Sequence, residues 1–246
     1  GGPSFKSPGR INSFLFIGSD YTKKFGVRGH GFVSKNFEGH SQSTGMNLTF
    51  SYRPFNVLQV EMEPNLMFNT GNLQYMSTTS YKDESRYIFG SINQKVLGVS
   101  FRVNLTITPD FTIQYWGQPF IATGQYSNFK MITDPMADQY SDRYVEYTDG
   151  QIECFTDDGY CDIDENMNGE TDYTIGFPDF NLKEFKSNLV ARWEYKPGSV
   201  FYLVWSQGRN GYNTYGDLAL NRDFKDLYQV FPHNVFLIKF SYRFGL

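Results

Sequence analysis

The feature that most constrains this chain is a two-residue alternation of apolar and polar side chains that recurs along its length. Residues 234–246 show this alternation, since every even position from 236 onward is apolar or aromatic. Successive side chains of a β-strand point to opposite faces, so this period predicts a strand with one apolar and one polar face. An aromatic-rich final strand of this kind is typical of an outer-membrane β-barrel.

Eight further segments alternate in the same way, which predicts nine strands in all. The eight segments are 11–21, 25–34, 44–53, 57–69, 86–108, 111–125, 185–196 and 199–207. In the most regular run, 97–108, every odd position is apolar and every even position is polar or glycine. Segment 199–207 is apolar on both faces and is assigned on its length and its β-branched residues alone.

The connections between these segments alternate between short and long. Residues 21–24, 53–56, 108–110 and 196–199 form tight turns, most of them with Pro, Gly or Asp. The polar segments 35–43, 70–85, 126–184 and 208–233 are longer. In outer-membrane barrels the short turns are periplasmic and the long loops are extracellular. We therefore expect the short turns and residue 246 on the periplasmic side.

Aromatic side chains cluster beside the short turns, where an interfacial belt would lie. They are Tyr21, Phe25, Tyr52, Phe55, Phe111, Trp193, Tyr195, Tyr242 and Phe244. A soluble β-sandwich also alternates, but it buries its apolar face and needs no such belt. The predicted fold is therefore an all-β, antiparallel transmembrane β-barrel in a Gram-negative outer membrane, with bilayer lipids as its first partner.

The charged positions of the predicted strands fall opposite the apolar ones, so in a barrel they would line the lumen. These residues are Arg28, Glu61, Glu63, Arg102, Arg192, Glu194, Lys239 and Arg243. The net charge of −4 gives no bulk attraction to nucleic acid, so no nucleic-acid partner is expected. Apolar runs also stay well short of the ~20 residues that a spanning helix needs.

Nine strands is an odd number, whereas single-chain bacterial barrels have an even number of strands. We therefore expect residues 1–246 to be the C-terminal part of a larger barrel, with one long extracellular loop at 126–184.

Two features of that loop suggest local chemistry. Cys154 and Cys161 would form a disulfide in an oxidising compartment and two free thiols in cytosol; the barrel interpretation favours the disulfide. The side chains of Asp164, Asn166, Asn168 and Asp172, with a turn at Gly169, follow the spacing of a calcium-binding loop.

The alternative to calcium binding is that these residues form an ordinary solvated acidic loop. The twelfth position of the motif is Ile175, where an EF-hand needs a bidentate Glu, and no helices are expected on either side. Calcium is the one cofactor that the sequence suggests.

Other residues of the long connections suggest weaker hypotheses. The loop tyrosines could stack on sugar rings or bury against one another, and burial is favoured; they are Tyr126, Tyr140, Tyr144, Tyr147, Tyr160 and Tyr173. Apolar residues in 222–231 have helical spacing and predict a short helix on the barrel rim. His233 could serve a hydrolase at that rim, but the chain lacks a G-x-S-x-G nucleophile motif, so no enzyme is expected.

Three stretches, 115–130, 179–207 and 232–244, resemble an uncharacterised family of Bacteroidota outer-membrane proteins that is classed as a domain of unknown function. The run Arg192-Trp-Glu-Tyr-Lys-Pro-Gly-Ser199 is the most specific part of the resemblance. It implies a C-terminal barrel that follows a module similar to family-9 carbohydrate-binding domains, and it implies no catalytic residues.

The expected function is therefore a non-enzymatic barrel that acts as a channel or as an anchor for a glycan-related surface module. The alternative is a structural subunit of a larger outer-membrane complex, with other outer-membrane or surface proteins as partners. A barrel-rim hydrolase is the third hypothesis. Glycan is the expected ligand class only if the protein is a channel or an anchor for a glycan-related surface module.

Overall fold

The computed structural model describes residues 2–20, 22–38 and 40–244, and within them the fold is all-β and antiparallel. The first six strands follow one another along the chain: β1 (Arg10–Gly18), β2 (Phe25–Asn36), β3 (Ser41–Phe55), β4 (Leu58–Tyr81), β5 (Glu84–Thr108) and β6 (Phe111–Ile132). A 3₁₀ turn at Tyr140–Arg143 then leads to the short strands β7 (Tyr144–Glu146), β8 (Ile152–Phe155), β9 (Tyr160–Ile163) and β10 (Tyr173–Gly176). The chain continues with β11 (Phe180–Lys196), β12 (Ser199–Asn213), the helix α1 (Leu220–Gln229) and β13 (His233–Ser241).

Nine long strands form one sheet in the order β1-β2-β3-β4-β5-β6-β11-β12-β13, and β7 joins it by pairing with the end of β6. Each strand is antiparallel to its neighbour, so the sheet is a meander interrupted by one insertion. Each of the nine alternating segments coincides with one of these strands, apart from residue 57 and the ends of the first and last segments. Within the described residues β1 and β13 are not paired with each other, so the sheet has two open edges.

The pairing register places apolar side chains opposite one another across the sheet. One row joins eight strands through the pairs Phe25–Tyr52, Tyr52–Val60, Val60–Val103, Val103–Tyr115, Tyr115–Leu189, Leu189–Trp205 and Trp205–Phe236. Because side chains alternate along each strand, this row defines one surface of the sheet, the apolar face. Its opposite surface is called the polar face.

The polar face is most polar at the centre of the sheet, where one row joins Ser51, Glu61, Arg102, Trp116, Asn188 and Ser206. Towards the edges this surface carries apolar side chains as well. Phe14 and Phe16 lie on it in β1, and Val235 and Leu237 lie on it in β13. Alternation is therefore weaker in these two edge strands than at the centre of the sheet, and segment 199–207 of β12, next to the β13 edge, is also apolar on both faces.

The prediction that 70–85 is a connection is wrong, because residues 70–81 belong to β4 and residues 84–85 belong to β5. β4 and β5 run for 24 and 25 residues and meet at a two-residue turn, Lys82-Asp83, whose φ angles are 52° and 63°. Two consecutive positive φ angles are those of the type I′ turn, which matches the twist of a hairpin. Residues 70–81 lack a clear alternation because both surfaces of the hairpin carry polar groups there, although Thr and Tyr favour strands.

The last strand is shorter than the sequence suggests, because its partner ends first. The first residues of β12, Ser199 and Val200, follow the turn Pro197-Gly198, and Val200 pairs with Ser241. Beyond that pair the backbone N–H of Arg243 donates a hydrogen bond to Oγ of Ser199 (3.0 Å). The predicted strand residues 245–246, and the belt residue Tyr21, lie outside the described part of the chain.

The insertion 133–179 folds into a small unit, called here the loop module, rather than an open loop. β8, β9 and β10 form a three-stranded sheet, and their side chains bury Cys161, Ile163, Tyr173 and Ile175. Ile88 of β5 belongs to the same core and is fully buried. Ile88 has the same parity in β5 as Arg102, so the loop module packs onto the polar side of the protruding β4–β5 hairpin.

The only α-helix in the described ranges, α1, is ten residues long and lies in the connection between β12 and β13. Its position agrees with the helical spacing of 222–231. No helix in these ranges is long and apolar enough to cross a membrane.

The core of the loop module gives a first prediction. Ile163 is fully buried, so Ile163→Ala removes three methyl or methylene groups from a closed core. We expect the free energy of unfolding of the loop module to fall by about 2–5 kcal/mol. Hydrogen exchange measured by mass spectrometry would then show faster exchange in 144–177 and unchanged exchange in β2 and β3.

Met136→Ala is the matched control, because this side chain lies in the same insertion and is 59% exposed. Equal effects of the two substitutions would contradict the described core.

Candidate functional site

Two surfaces can carry function: the polar face of the large sheet and the loop module at one end of it. Seven of the eight charged residues predicted for a lumen lie on the polar face: Arg28, Glu61, Glu63, Arg102, Arg192, Glu194 and Lys239. Arg243 follows the end of β13 and packs its side chain beside Gly198. The alternation of side chains along each strand was therefore sufficient to predict that these seven residues share one face.

The polar face carries charges of both signs. Glu61 of β4 lies directly opposite Arg102 of β5. On β11, Nη2 of Arg192 donates to Oε2 of Glu194 at 2.7 Å, and Arg192 is also opposite Tyr202 in β12. Lys239 of β13 continues this row, with its ammonium 5.9 Å from the ring centre of Tyr202. Such a surface is hydrated and is suited to polar solutes rather than to an apolar ligand.

Two shallow cavities open on the polar face. The first is lined by Arg28, Ser51, Arg53 and Glu61, near the tight-turn end. The second is lined by Arg102, Asn104, Gln114, Trp116 and Asn188. Nε1 of Trp116 donates to Oγ of Ser100 at 2.9 Å, which orients the indole within this polar surface.

The apolar face, in contrast, leaves large side chains uncovered. Met46, Met62, Phe101, Trp193 and Ile238 are each between 37% and 66% exposed. Six of the predicted belt aromatics beside the tight turns are also exposed, whereas Phe111 and Tyr195 are half-buried; the six are Phe25, Tyr52, Phe55, Trp193, Tyr242 and Phe244. An uncovered apolar surface of this kind marks a site of interaction with protein, lipid or ligand.

The disulfide predicted from the sequence is confirmed: Cys154 and Cys161 are bonded to each other and are paired residues of β8 and β9. The bond closes the hairpin at the tip of the loop module. Since disulfides persist in oxidising compartments, this feature agrees with an exported protein.

A hydrogen-bonded chain joins the loop module to the β4–β5 hairpin. The hydroxyl groups of Tyr147 and Tyr173 are 2.7 Å apart, and the Tyr173 hydroxyl donates to Oε2 of Glu165 at 2.9 Å. Glu165 accepts two further bonds from the guanidinium of Arg86 in β5, from Nε at 3.0 Å and from Nη2 at 3.1 Å. This bidentate ion pair is shielded from solvent and fixes the module's position on the hairpin.

Burial changes the ionisation of the two tyrosines in this chain. Desolvation raises the pKa of Tyr147 to about 12, because the charged phenolate loses its hydration. The pKa of Tyr173 is raised for the same reason, and further by its hydrogen bond with Tyr147. Both residues and Tyr140 are buried, as expected for tyrosines that pack within the loop, whereas Tyr126, Tyr144 and Tyr160 are half-buried. Tyr140 also stacks on His40 at 3.9 Å between ring centres.

The predicted calcium residues form a turn whose carboxylates accept bonds from their own loop. Asp164 accepts from the backbone N–H groups of Asn168 (3.1 Å) and Gly169 (2.7 Å). Asp172 accepts from the hydroxyl of Tyr81 (2.7 Å), which lowers its pKa, and from the side-chain amide of Asn166.

These bonds stabilise the turn in the form described. No three His, Cys, Asp or Glu side chains within the described ranges come together as a metal site. The amide oxygens of Asn166 and Asn168 are not among these groups, so calcium binding by this loop stays a prediction.

His233 begins β13 opposite Gly208, with its side chain exposed to solvent. The hydrolase hypothesis that rests on it is not tested by this position and stays a prediction. Sequence reasoning missed the roles of Tyr81, Arg86 and Glu165, which are separated from their partners by 79 to 91 residues along the chain. A local pattern carries no signal for such contacts.

The geometry defines a class of protein: a long antiparallel meander with one apolar and one polar face, tight turns at one end and a disulfide-bonded module at the other. A sequence model described as Domain of unknown function (DUF5916) matches residues 1–244, and the chain therefore belongs to this family. Searches of curated proteins and of solved structures gave no match.

The pKa shift of Tyr147 gives a prediction of pH dependence. An unfolded tyrosine has a pKa near 10.0, and the folded value of about 12 is higher, so folding favours the protonated phenol. The corresponding stabilisation is complete below pH 10 and is lost as the pH rises towards 12. Tyr173→Phe removes the hydroxyl between Tyr147 and Glu165, and we expect it to destabilise the loop module by about 1–3 kcal/mol at neutral pH.

The measurement is chemical denaturation of the loop module between neutral pH and pH 12, followed by hydrogen exchange of 144–177. Tyr212→Phe is a suitable control, since this side chain is 64% exposed and lies on β12. A loop-module stability that is independent of pH across the whole range would contradict the buried tyrosine pair.

Proposed function

We propose that the nine-stranded sheet is part of the wall of an outer-membrane β-barrel, whose apolar face contacts lipid and whose polar face lines the lumen. The observation that supports this best is the unbroken apolar row from Phe25 in β2 to Phe236 in β13. A soluble sheet would bury such a surface beneath a second layer, whereas here its large side chains remain uncovered. The polar row opposite, with Glu61 beside Arg102, has the alternation of a barrel interior.

The ends of the strands support an orientation. The two-residue turns after β3, β5 and β11 lie at one end, beside the exposed aromatics Tyr52, Phe55 and Trp193. The long connection with the loop module lies at the other end. In the proposed barrel the tight turns are periplasmic and the loop module is extracellular. The disulfide of Cys154 and Cys161 would then lie on the oxidising outer surface.

The open edges of β1 and β13 have a direct consequence for this proposal. A strand edge within a bilayer leaves backbone N–H and C=O groups without partners, which costs several kcal/mol per group. Both edges must therefore pair with further strands. We propose that these strands belong to the same protein, so that the sheet closes as one barrel; a strand supplied by another subunit of a larger complex is the alternative.

The position of the loop module favours an anchor over a freely open pore. The module packs on the polar side of the β4–β5 hairpin through Ile88, and thus leans towards the lumen rather than towards lipid. We therefore propose a non-enzymatic membrane anchor that displays a folded surface module, with glycan as the ligand class expected for the protein as a whole. Calcium binding in the acidic turn is a subsidiary proposal.

The three tryptophans of the chain provide an internal test of the two faces. Trp193 and Trp205 lie on the apolar face, and Trp116 lies on the polar face, bonded to Ser100. In single-tryptophan variants placed in vesicles of chain-brominated phospholipid, we expect strong quenching of the fluorescence of Trp193 and Trp205. Trp116 should be protected from brominated chains and quenched by aqueous iodide.

Each variant is the control for the other two, since all three carry two Trp→Phe substitutions and the same strands. Equal quenching of Trp116 and Trp205 by brominated lipid would contradict the assignment of faces. Absence of lipid quenching at both Trp193 and Trp205 would contradict the membrane proposal.

Single-channel recording of the full-length protein separates an anchor from a pore. With the loop module folded over the lumen, we expect a conductance that is low compared with general porins. Deletion of 133–177 with a short Gly-Ser linker should raise it, because the module then no longer covers the mouth. A large conductance that the deletion leaves unchanged would favour a channel over the anchor.

A further inference from the structure

The helix α1 lies on the apolar face of the sheet, at the end opposite the tight turns. Three contacts establish this position: Asp223 accepts from Asn181 (3.0 Å), Asp226 accepts from Lys183 (3.1 Å), and the ring of Tyr228 is 6.4 Å from that of Phe185. Asn181, Lys183 and Phe185 of β11 have the same parity as Leu189, which belongs to the apolar row. The helix therefore lies on the surface that we propose contacts lipid, and not over the lumen.

Buried polar groups attach the helix there. Lys183 is 1% exposed and Asp223 is fully buried, and Asn213 supplies a further acceptor to the Lys183 ammonium at 3.0 Å. A buried ammonium needs charged and hydrogen-bonding partners, and α1 provides them through Asp223 and Asp226. This charged contact also marks the end of the apolar surface on β11, since lipid chains could not solvate it.

The same helix leaves apolar side chains uncovered at its C-terminal end. Tyr228 is 58% exposed, and Phe231, two residues beyond the helix, is 91% exposed. The guanidinium of Arg209, also on the apolar face, donates to the carbonyl oxygen of Val230 at 3.1 Å and lies 5.8 Å from the Tyr228 ring centre. Arg209 thus fixes the backbone at Val230, the residue directly before Phe231, and lies beside the Tyr228 ring.

The height of this pair can be estimated along β11. Trp193 is next to a tight turn, and Phe185, which contacts Tyr228, is eight residues away in the same strand. At about 3.3 Å per residue the two are roughly 26 Å apart along the strand. Strands of an outer-membrane barrel tilt by roughly 35–45°, so this distance corresponds to about 20 Å along the membrane normal, compared with an apolar band about 25 Å tall. The aromatic pair therefore lies near the boundary opposite the tight turns.

We propose that Tyr228 and Phe231 insert into the outer leaflet of the bilayer and make α1 an interfacial lipid anchor of the barrel. The inference rests on the proposed function, because it needs the apolar face to contact lipid. The binding partner of Tyr228 and Phe231 is the lipid surface, for two reasons. The two side chains are continuous with the apolar face, and Arg209 brings a cation to the level of anionic headgroups. Aromatic rings at this depth are stable because they place an apolar body in the acyl region near polar headgroups.

The test uses the full chain with its three native tryptophans replaced by Phe and a single Trp introduced by Phe231→Trp. It is reconstituted in vesicles whose phospholipid chains are brominated either near the headgroup or near the chain end. We expect the shallow bromines to quench this Trp about twofold more strongly than the deep ones, because interfacial side chains lie only about 5–10 Å into the headgroup–acyl boundary. Met136→Trp in the same background is the control; Met136 is exposed in the loop module and should show no quenching by either lipid.

The variant that keeps only Trp205 separates this inference from the proposed function. Quenching at Trp205 without quenching at position 231 would overturn the interfacial anchor and leave the barrel in place. No quenching at either position would overturn both. Quenching at position 231 that is equal to that of the Met136→Trp control would also contradict the anchor, since it would show no preference of this end of α1 for lipid.

Discussion

The structure depends on the antiparallel register between neighbouring strands. Alternation within a strand only separates its apolar side chains from its polar ones. The pairing between strands then brings the apolar side chains onto a single surface. Examples are the pairs Tyr52–Val60, Val103–Tyr115 and Leu189–Trp205. A shift of one residue in any pair would place an apolar residue of one strand beside the charged residues of the next. Each tight turn contributes by setting the register of the hairpin that it closes.

The sequence predicted what this periodicity controls. Nine strands, the charged residues that share a face and the disulfide partners Cys154 and Cys161 were all expected, because each follows from local spacing or from a small number of candidates. Where the periodicity weakens, the prediction was wrong. Residues 70–81 were expected to be a loop, but they continue β4. Two register shifts between residues 71 and 77 interrupt the alternation on which the prediction relied.

The loop module shows why the rest could not be predicted. Its attachment depends on Glu165 meeting Arg86 and on Asp172 meeting Tyr81, pairs that are 79 and 91 residues apart. The acidic turn illustrates the same point at shorter range, because the spacing of Asp164, Asn166 and Asn168 is shared by metal ligands and by residues that cap backbone N–H groups. Only the folded arrangement distinguishes what each oxygen contacts.

The long β4–β5 hairpin determines how far the loop module stands from the membrane. In the proposed orientation, Phe68 is the last apolar-face residue of β4 before the polar segment, and the hairpin turns at Lys82. The intervening strand would extend roughly 40 Å at about 3.3 Å per residue, before any tilt is considered. The two paired strands act as a rigid support of that length. The disulfide-bonded module is therefore held beyond the lipid headgroups, at the distance where macromolecules of the cell surface, rather than lipids, are its neighbours.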